Sequence, residues 1–399
     1  MEAFPAFKER NFRLYFWGMF ISFAGTWMQH VALGWLVFKL TQSPFWVGAV
    51  ASLGMLPSVI LAPLGGTIVD RYPKRYVMYM TQGLSMIQAL VLGLLTVYGL
   101  ITIERICILS IISGFIVAVD YPARQAIVRE LVSPENLPSA MALNISMMTL
   151  SDIFGPMLGG FLIIFIGEGG TFIVNAASFL AVIVALWMIN IDHEPIKDPK
   201  HPFRMVAVGF RYTFCQPGIR LPIIFGGLVM MFGFSFRSIL PVVTKELFNG
   251  GPKVLGYLSA SHAVGAFIGT VLVSAFAKKV SLKFFLLGGS LLTALSLMLF
   301  SRIHILPNSL LFIVTAGIGL TLCVTLVRAV TLQASRRDLT GVVSGFTNTL
   351  SFGGVAFGNS LTGFVADKYG SAVSIGLNGS VLLLLVLFFW LHRAKFKPA

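Results

Sequence analysis

A chain of 399 residues with 56% hydrophobic and only 11% charged residues falls well short of the roughly 25% charged content of a soluble domain. Its mean hydropathy of +0.87 and net charge of +14 point to a polytopic membrane protein whose Lys and Arg collect in loops on one side of the bilayer, and away from a nucleic-acid binder. The three cysteines, Cys107, Cys215 and Cys323, are too scattered for a disulfide framework or a metal site.

Residues 1–13 lack the short apolar core and small-residue cleavage site of a signal peptide, so the first apolar run is expected to remain as a span. A crossing needs about 20 apolar residues. Runs near 14–38, 45–69, 76–99, 103–122, 137–166 and 171–191 supply six, and runs near 219–243, 254–277, 282–301, 307–330, 341–366 and 371–391 supply six more. The pattern predicts an all-α membrane protein: twelve transmembrane helices in two pseudosymmetric six-helix bundles, 1–191 and 219–399, joined by a polar connection over 192–218. Within that connection, Phe203 to Tyr212 alternates basic and apolar positions, which fits either an amphipathic surface helix or a solvated linker. With both termini on one side, that side collects Lys8, Arg10, Arg13, Arg71, Lys74, Arg75, Arg124, Arg129 and the basic residues of the connection, whereas the other holds Lys39, Arg105, Lys245, Lys253, Arg302 and Lys368. Both termini and the connection are therefore expected in the cytoplasm, with the chain in a bacterial inner (plasma) membrane.

Polar residues inside the apolar runs are the candidates for chemistry, because each is costly at membrane depth. In span 5, Asp152 stands one turn ahead of Gly155, Pro156, Gly159 and Gly160, and a weaker copy of the segment runs from Gly354 to Gly363. Burial disfavours the charged carboxylate, so Asp152 reads as a proton carrier; a structural ion pair or helix cap is the alternative. Arg237 in span 7 reads as a holder of an anionic substrate group or as the partner of Asp152. The offset that puts Gly25 on Gly233 puts Gln29 on Arg237, which predicts related cavity positions. His30 and His262 read as proton relays or as packing residues. Trp27, with Trp17 and Met28, fits an aromatic cavity, while Trp35 and Trp46 fit interfacial anchors. Phosphate-binding loops and metal-ligand spacings are absent, so no cofactor is expected beyond a proton gradient as the coupling ion.

The loop Gly66-Thr67-Ile68-Val69-Asp70-Arg71-Tyr72-Pro73-Lys74-Arg75 resembles the signature loop of the major facilitator superfamily, with Pro73 where the family usually has glycine. The resemblance implies a cytoplasmic latch: Asp70 caps the start of span 11 near Leu339 to Gly341, Lys74 reaches Asp120, and Gly66, Arg71 and Arg75 complete the cluster. The segment Ser151 to Gly160 resembles the span-five motif of proton-coupled antiporters, with Ser151 in place of the first glycine. It implies export, with Gly155, Pro156, Gly159 and Gly160 as a kinked hinge against span 8 or span 11. Ser110 stands where many proton-coupled drug exporters carry an arginine. Gly25 to Gln29, Gly34 to Val37, Leu40 to Pro44 and Tyr121 to Ala126 look like the branch that contains enterobactin exporters and macrolide efflux proteins. The resemblance implies a secondary active transporter, not an enzyme, that exports an amphipathic drug, macrolide or siderophore by alternating access. Its partners would be that small molecule and the lipid bilayer, without nucleic acid and as a monomer. An uptake carrier or uniporter for an anionic solute, and a non-transporting receptor or scaffold, are the other readings.

Overall fold

A computed structural model describes residues 5–189, 211–276, 282–336 and 339–391, leaving out the side chains of 62–68, 70, 282–285 and 341. Among these residues every regular element is helical. Span 1 is Arg10–Thr41. Span 2 is split into Pro44–Leu53 and Leu56–Arg71. Spans 3 and 4 are Lys74–Val97 and Ile103–Ile127. Spans 5 and 6 form one run, Leu137–Met188, interrupted at Gly167, whose φ of 71° only glycine adopts easily. Span 7 comprises Pro217–Gly233, a 3₁₀ turn at Ser235–Ile239 and Leu240–Glu246. Spans 8 to 12 are Pro252–Phe276, Leu282–Phe300, Leu306–Ala334, Thr340–Tyr369 and Ser371–Leu391. These are the twelve expected crossings. Most of the 192–218 connection, including the alternating segment from Phe203, lies outside the described residues.

Eight of the described stretches are long and apolar enough to cross a membrane on composition alone, and one, Pro134–Met188, has 55 residues. At about 1.5 Å per residue that stretch is more than twice a hydrocarbon core of about 30 Å, so it crosses twice. Spans 1 and 11 are more polar. Span 1 carries Ser22, Thr26, Gln29 and His30, and span 11 carries Asn348, Ser351, Asn359, Ser360 and Thr362. Such residues are tolerated at depth where a helix is packed in protein or faces a watery cleft.

Among the described residues, the buried cluster that joins the two six-helix halves lies at the end opposite the termini, here called distal. There Leu36, Val47, Ile106, Ile163 and Phe172 of the first half join Phe236, Ile239, Leu255, Phe300 and Ala366 of the second in one buried cluster. At the end bearing the termini each half keeps its own: Phe12, Met78, Ile127 and Leu186 in the first, Ile219, Ile223 and Val343 in the second.

Glycines set the helix contacts. A Cβ on Gly155 would meet Trp27 Cβ at 2.5 Å, and one on Gly159 would meet Met28 Cα at 3.0 Å, so both face span 1. Gly160 instead faces Gly256 of span 8, whose Cα a new Cβ would meet at 3.1 Å. The span-11 copy repeats this layout. Gly354 and Gly358 lie against Gly227 and Met231 of span 7, and Gly363 lies 3.1 Å, by the same measure, from Gly48 Cα of span 2. The parallel repeat is thus expressed in packing, with two glycine-on-glycine crossings between the halves at the distal end.

Helical backbone continues through Ser151 to Gly160, and the break in the run falls at Gly167. Proline removes one N–H, which frees the Asp152 carbonyl four residues earlier, beside the close packing of Gly155 and Gly159 on span 1 and of Gly160 on span 8.

Candidate transport site between the halves

Asp152 and Arg237 meet across the junction. Arg237 Nη2 donates to Asp152 Oδ1 at 2.8 Å and Nη1 to Oδ2 at 3.2 Å, a bidentate pair that fixes both position and plane. Their side chains are only 17% and 11% exposed. The guanidinium carbon also lies 5.0 Å from the Trp27 ring of span 1 and 5.1 Å from the Phe234 ring of span 7, so two aromatic faces hold the cation. Span 7 positions Arg237 because its helix tightens to a 3₁₀ turn at Ser235–Ile239, just where the side chain must cross to span 5.

His262 of span 8 completes the cluster, its Nδ1 3.3 Å from Arg237 Nη1. Guanidinium only donates, so this nitrogen accepts and the ring proton sits on Nε2. That Nε2 is buried and has no partner among the described residues. The ring packs between Phe234 and Phe236, at 5.5 and 5.9 Å. His30 stacks on Trp27 at 5.4 Å and is exposed. Asp152, Arg237, His262 and Trp27 therefore converge from spans 5, 7, 8 and 1, with His30 one ring further out.

Gln29 stands apart from them. It donates to Gln88 Oε1 at 3.2 Å and accepts from Asn175 Nδ2 at 2.7 Å, tying spans 1, 3 and 6 within the first half. The repeat offset relates it to Arg237 in sequence, yet Arg237 crosses the junction and Gln29 does not.

The expected contact between Lys74 and Asp120 is also corrected. Lys74 Nζ pairs with Glu130 at 3.0 Å, while Asp120 accepts from Thr81 Oγ1 and Gln82 Nε2, both at 2.7 Å, and pairs with Arg124. Asp120 faces a level about 10 Å further along span 3 than Lys74, and its oxygens are already engaged. Arg75 donates to the Trp187 carbonyl at 3.1 Å, and Arg71 is exposed. The side chains of Gly66 and Asp70 lie outside the described residues, as does that of Gly341.

Three groups escaped the sequence reading. Arg124 stacks its guanidinium on Phe23 at 4.3 Å beside Asp120. Lys39 and Glu168 pair at 3.1 Å near the distal end. Asp367, in the last turn of span 11, accepts from Ser43 Oγ at 2.6 Å and from Phe45 N at 3.4 Å. It thereby caps span 2 from the other half, the mirror image of the role implied for Asp70. An acid near the outgoing end of span 11 was the available signal. Because Asp367 is exposed, Asp367→Ala is expected to cost only about 1 kcal/mol in thermal unfolding, with faster exchange of the Phe45 amide as its specific signature.

The chain matches the family described as transmembrane secretion effector over residues 1–399. It is 25% identical over 385 residues to the enterobactin exporter EntS of Escherichia coli, covering 94% of this chain and 91% of that one. It is 24% identical over 271 residues to the staphyloferrin A transporter of Staphylococcus aureus, 68% of each. Among solved structures, an inward-facing, unoccupied bacterial homologue of the human lysosomal transporter Spinster superposes with a TM-score of 0.78 at 15% identity over 98% of both chains. The nucleoside transporter NupG superposes with 0.78 at 13% identity over 97% and 99%, and at such identities the likeness is one of fold. The whole-length match, the twelve spans and the paired halves together make this chain a member of the transmembrane secretion effector family of the major facilitator superfamily, an integral multi-pass membrane transporter and not an enzyme.

Proposed function

We propose that this transporter exports an amphipathic small molecule, of the siderophore, macrolide or drug kind, in exchange for protons by alternating access. It would act as a monomer in a bacterial inner membrane, with both termini in the cytoplasm. The observation that carries the reading is the Asp152–Arg237 pair, a titratable tie between two halves that rock about their junction. The buried cluster that joins the halves lies at the distal end, while each half keeps its own cluster at the other, so the arrangement supports a state that faces the cytoplasm. The names of the relatives add weight to siderophores as the substrate class.

Exchange requires that proton and substrate compete. A substrate whose hydroxyl, amide or amine donors bind the Asp152 carboxylate meets that requirement, with Trp27 and Phe234 holding its apolar part. Leaving toward the outside, it frees the carboxylate to take a proton. An anionic solute on Arg237 works the other way: it strips Asp152 of its counter-charge and favours protonation, so proton and solute would travel together, as in uptake.

The test is the sign of proton movement and flux. Purified protein in weakly buffered detergent, titrated with a catecholate siderophore and a macrolide, is expected to release protons on binding, and proteoliposomes are expected to move the ligand against an imposed proton gradient. Proton uptake on binding would favour the uptake carrier. Ligand flux indifferent to the gradient would remove proton coupling.

A further inference from the structure

Spans 1 and 6 leave a groove of about 560 Å³ lined by Arg10, Arg13, Trp17, Ile21, Val184 and Met188. At 100° per residue it lies about 110–140° around span 1 from Trp27, His30 and Gly34, which face the junction. It therefore opens on the membrane side. Trp17 and Ile21 are 57% and 47% exposed there. The floor is built of small residues: a Cβ on Gly18 would meet Ala185 Cβ at 2.8 Å, so the two backbones touch and the larger side chains stand up as walls.

From Arg10 to Ile21 the groove runs about 16 Å, close to half of a hydrocarbon core of about 30 Å. That is the length of one acyl chain in one leaflet. Its mouth holds two guanidiniums, and among the described residues no carboxylate lines it. The neighbouring Glu9 is turned aside, accepting from Asn136 Nδ2 at 3.2 Å. Neither arginine has an ion pair or side-chain hydrogen bond among the described residues.

We propose that this groove seats one anionic phospholipid. The phosphate lies on Arg10 and Arg13, an acyl chain runs past Trp17 and Ile21, and the lipid pins span 1 to span 6. The proposal is independent of what the protein transports.

Purified full-length protein in detergent is titrated with phosphatidylglycerol, phosphatidylcholine and inorganic phosphate, following the unfolding midpoint and the lipid-bound fraction by native mass spectrometry. Phosphatidylglycerol is expected to stabilise and stay bound, phosphatidylcholine to bind about tenfold more weakly, and inorganic phosphate to do neither. Arg10→Gln with Arg13→Gln is expected to weaken phosphatidylglycerol binding by about 10- to 30-fold. Ile21→Trp, which fills the groove and keeps both arginines, is expected to lose the bound lipid as well, and it decides the matter if the double variant fails to fold. Equal binding of both lipids, wild-type affinity in either variant, or stabilisation by inorganic phosphate alone would overturn the proposal.

Discussion

Asp152→Asn is expected to abolish pH-driven efflux in proteoliposomes, to the level of empty liposomes, and to lower the unfolding midpoint. Both effects come from one contact. Asparagine keeps the shape of the carboxylate but neither its charge nor its capacity to take a proton, so the coupling step is lost. Arg237 meanwhile remains as a largely buried cation whose bidentate partner is gone. Removing one member of a buried pair costs about 3–5 kcal/mol, partly offset here by the Trp27 and Phe234 faces, since a cation over an aromatic ring is stabilised by about 0.5–2 kcal/mol. Arg237→Gln added to Asp152→Asn removes the stranded charge, so stability is expected to recover while coupling is not. This split separates the proton-carrying role from a purely structural pair, for which the double variant would restore both. Undiminished pH-driven efflux in Asp152→Asn would remove Asp152 from the coupling mechanism.

The second large effect is steric. A Cβ at Gly256 stands 2.9 Å from the Pro156 carbonyl and 3.4 Å from Gly160 Cα, so a leucine there has no room while spans 5 and 8 touch. Overpacking costs about 1–3 kcal/mol and acts only on the conformer in which the distal end is shut. The ratio of shut to open conformers therefore falls by about 5- to 150-fold, and a scarce open conformer rises by that factor. With Cys107, Cys215 and Cys323 replaced and a single cysteine placed at Ser43, beside the distal contact to Asp367, Gly256→Leu is expected to raise labelling by a membrane-impermeant maleimide by that factor and to slow transport. An unchanged labelling rate would mean that the glycine crossing does not gate the distal end.

Much of the fold was legible because a bilayer imposes so few solutions. Apolar runs of the right length, separated by short polar turns, leave little choice but crossing helices, and the twelve runs emerged close to where hydropathy put them. The glycine segments of spans 5 and 11 were legible as related, since a small-residue stripe has meaning only where helices touch. Their partners were not legible. Nothing in the spacing says that Gly155 and Gly159 face span 1 within one half while Gly160 faces span 8 in the other.

The site divides in the same way. Asp152, Arg237 and His262 stood out one by one, because a charge or an imidazole in an apolar run has an energetic cost that demands a reason. Their meeting, the two aromatic faces over the guanidinium and the orphaned Nε2 of His262 arise from helices distant in sequence. Lys74 shows the limit of a borrowed pairing: the right residue types were present, but Asp120 sits at another level of span 3 with its oxygens taken. By itself the sequence determined the crossings, the repeat and the costly polar residues, since these follow from hydration and helix length, which act locally. Only the tertiary structure decided which glycines join the halves, which acid meets which base and which end of the molecule is closed, because each depends on contacts between helices that hydropathy does not encode.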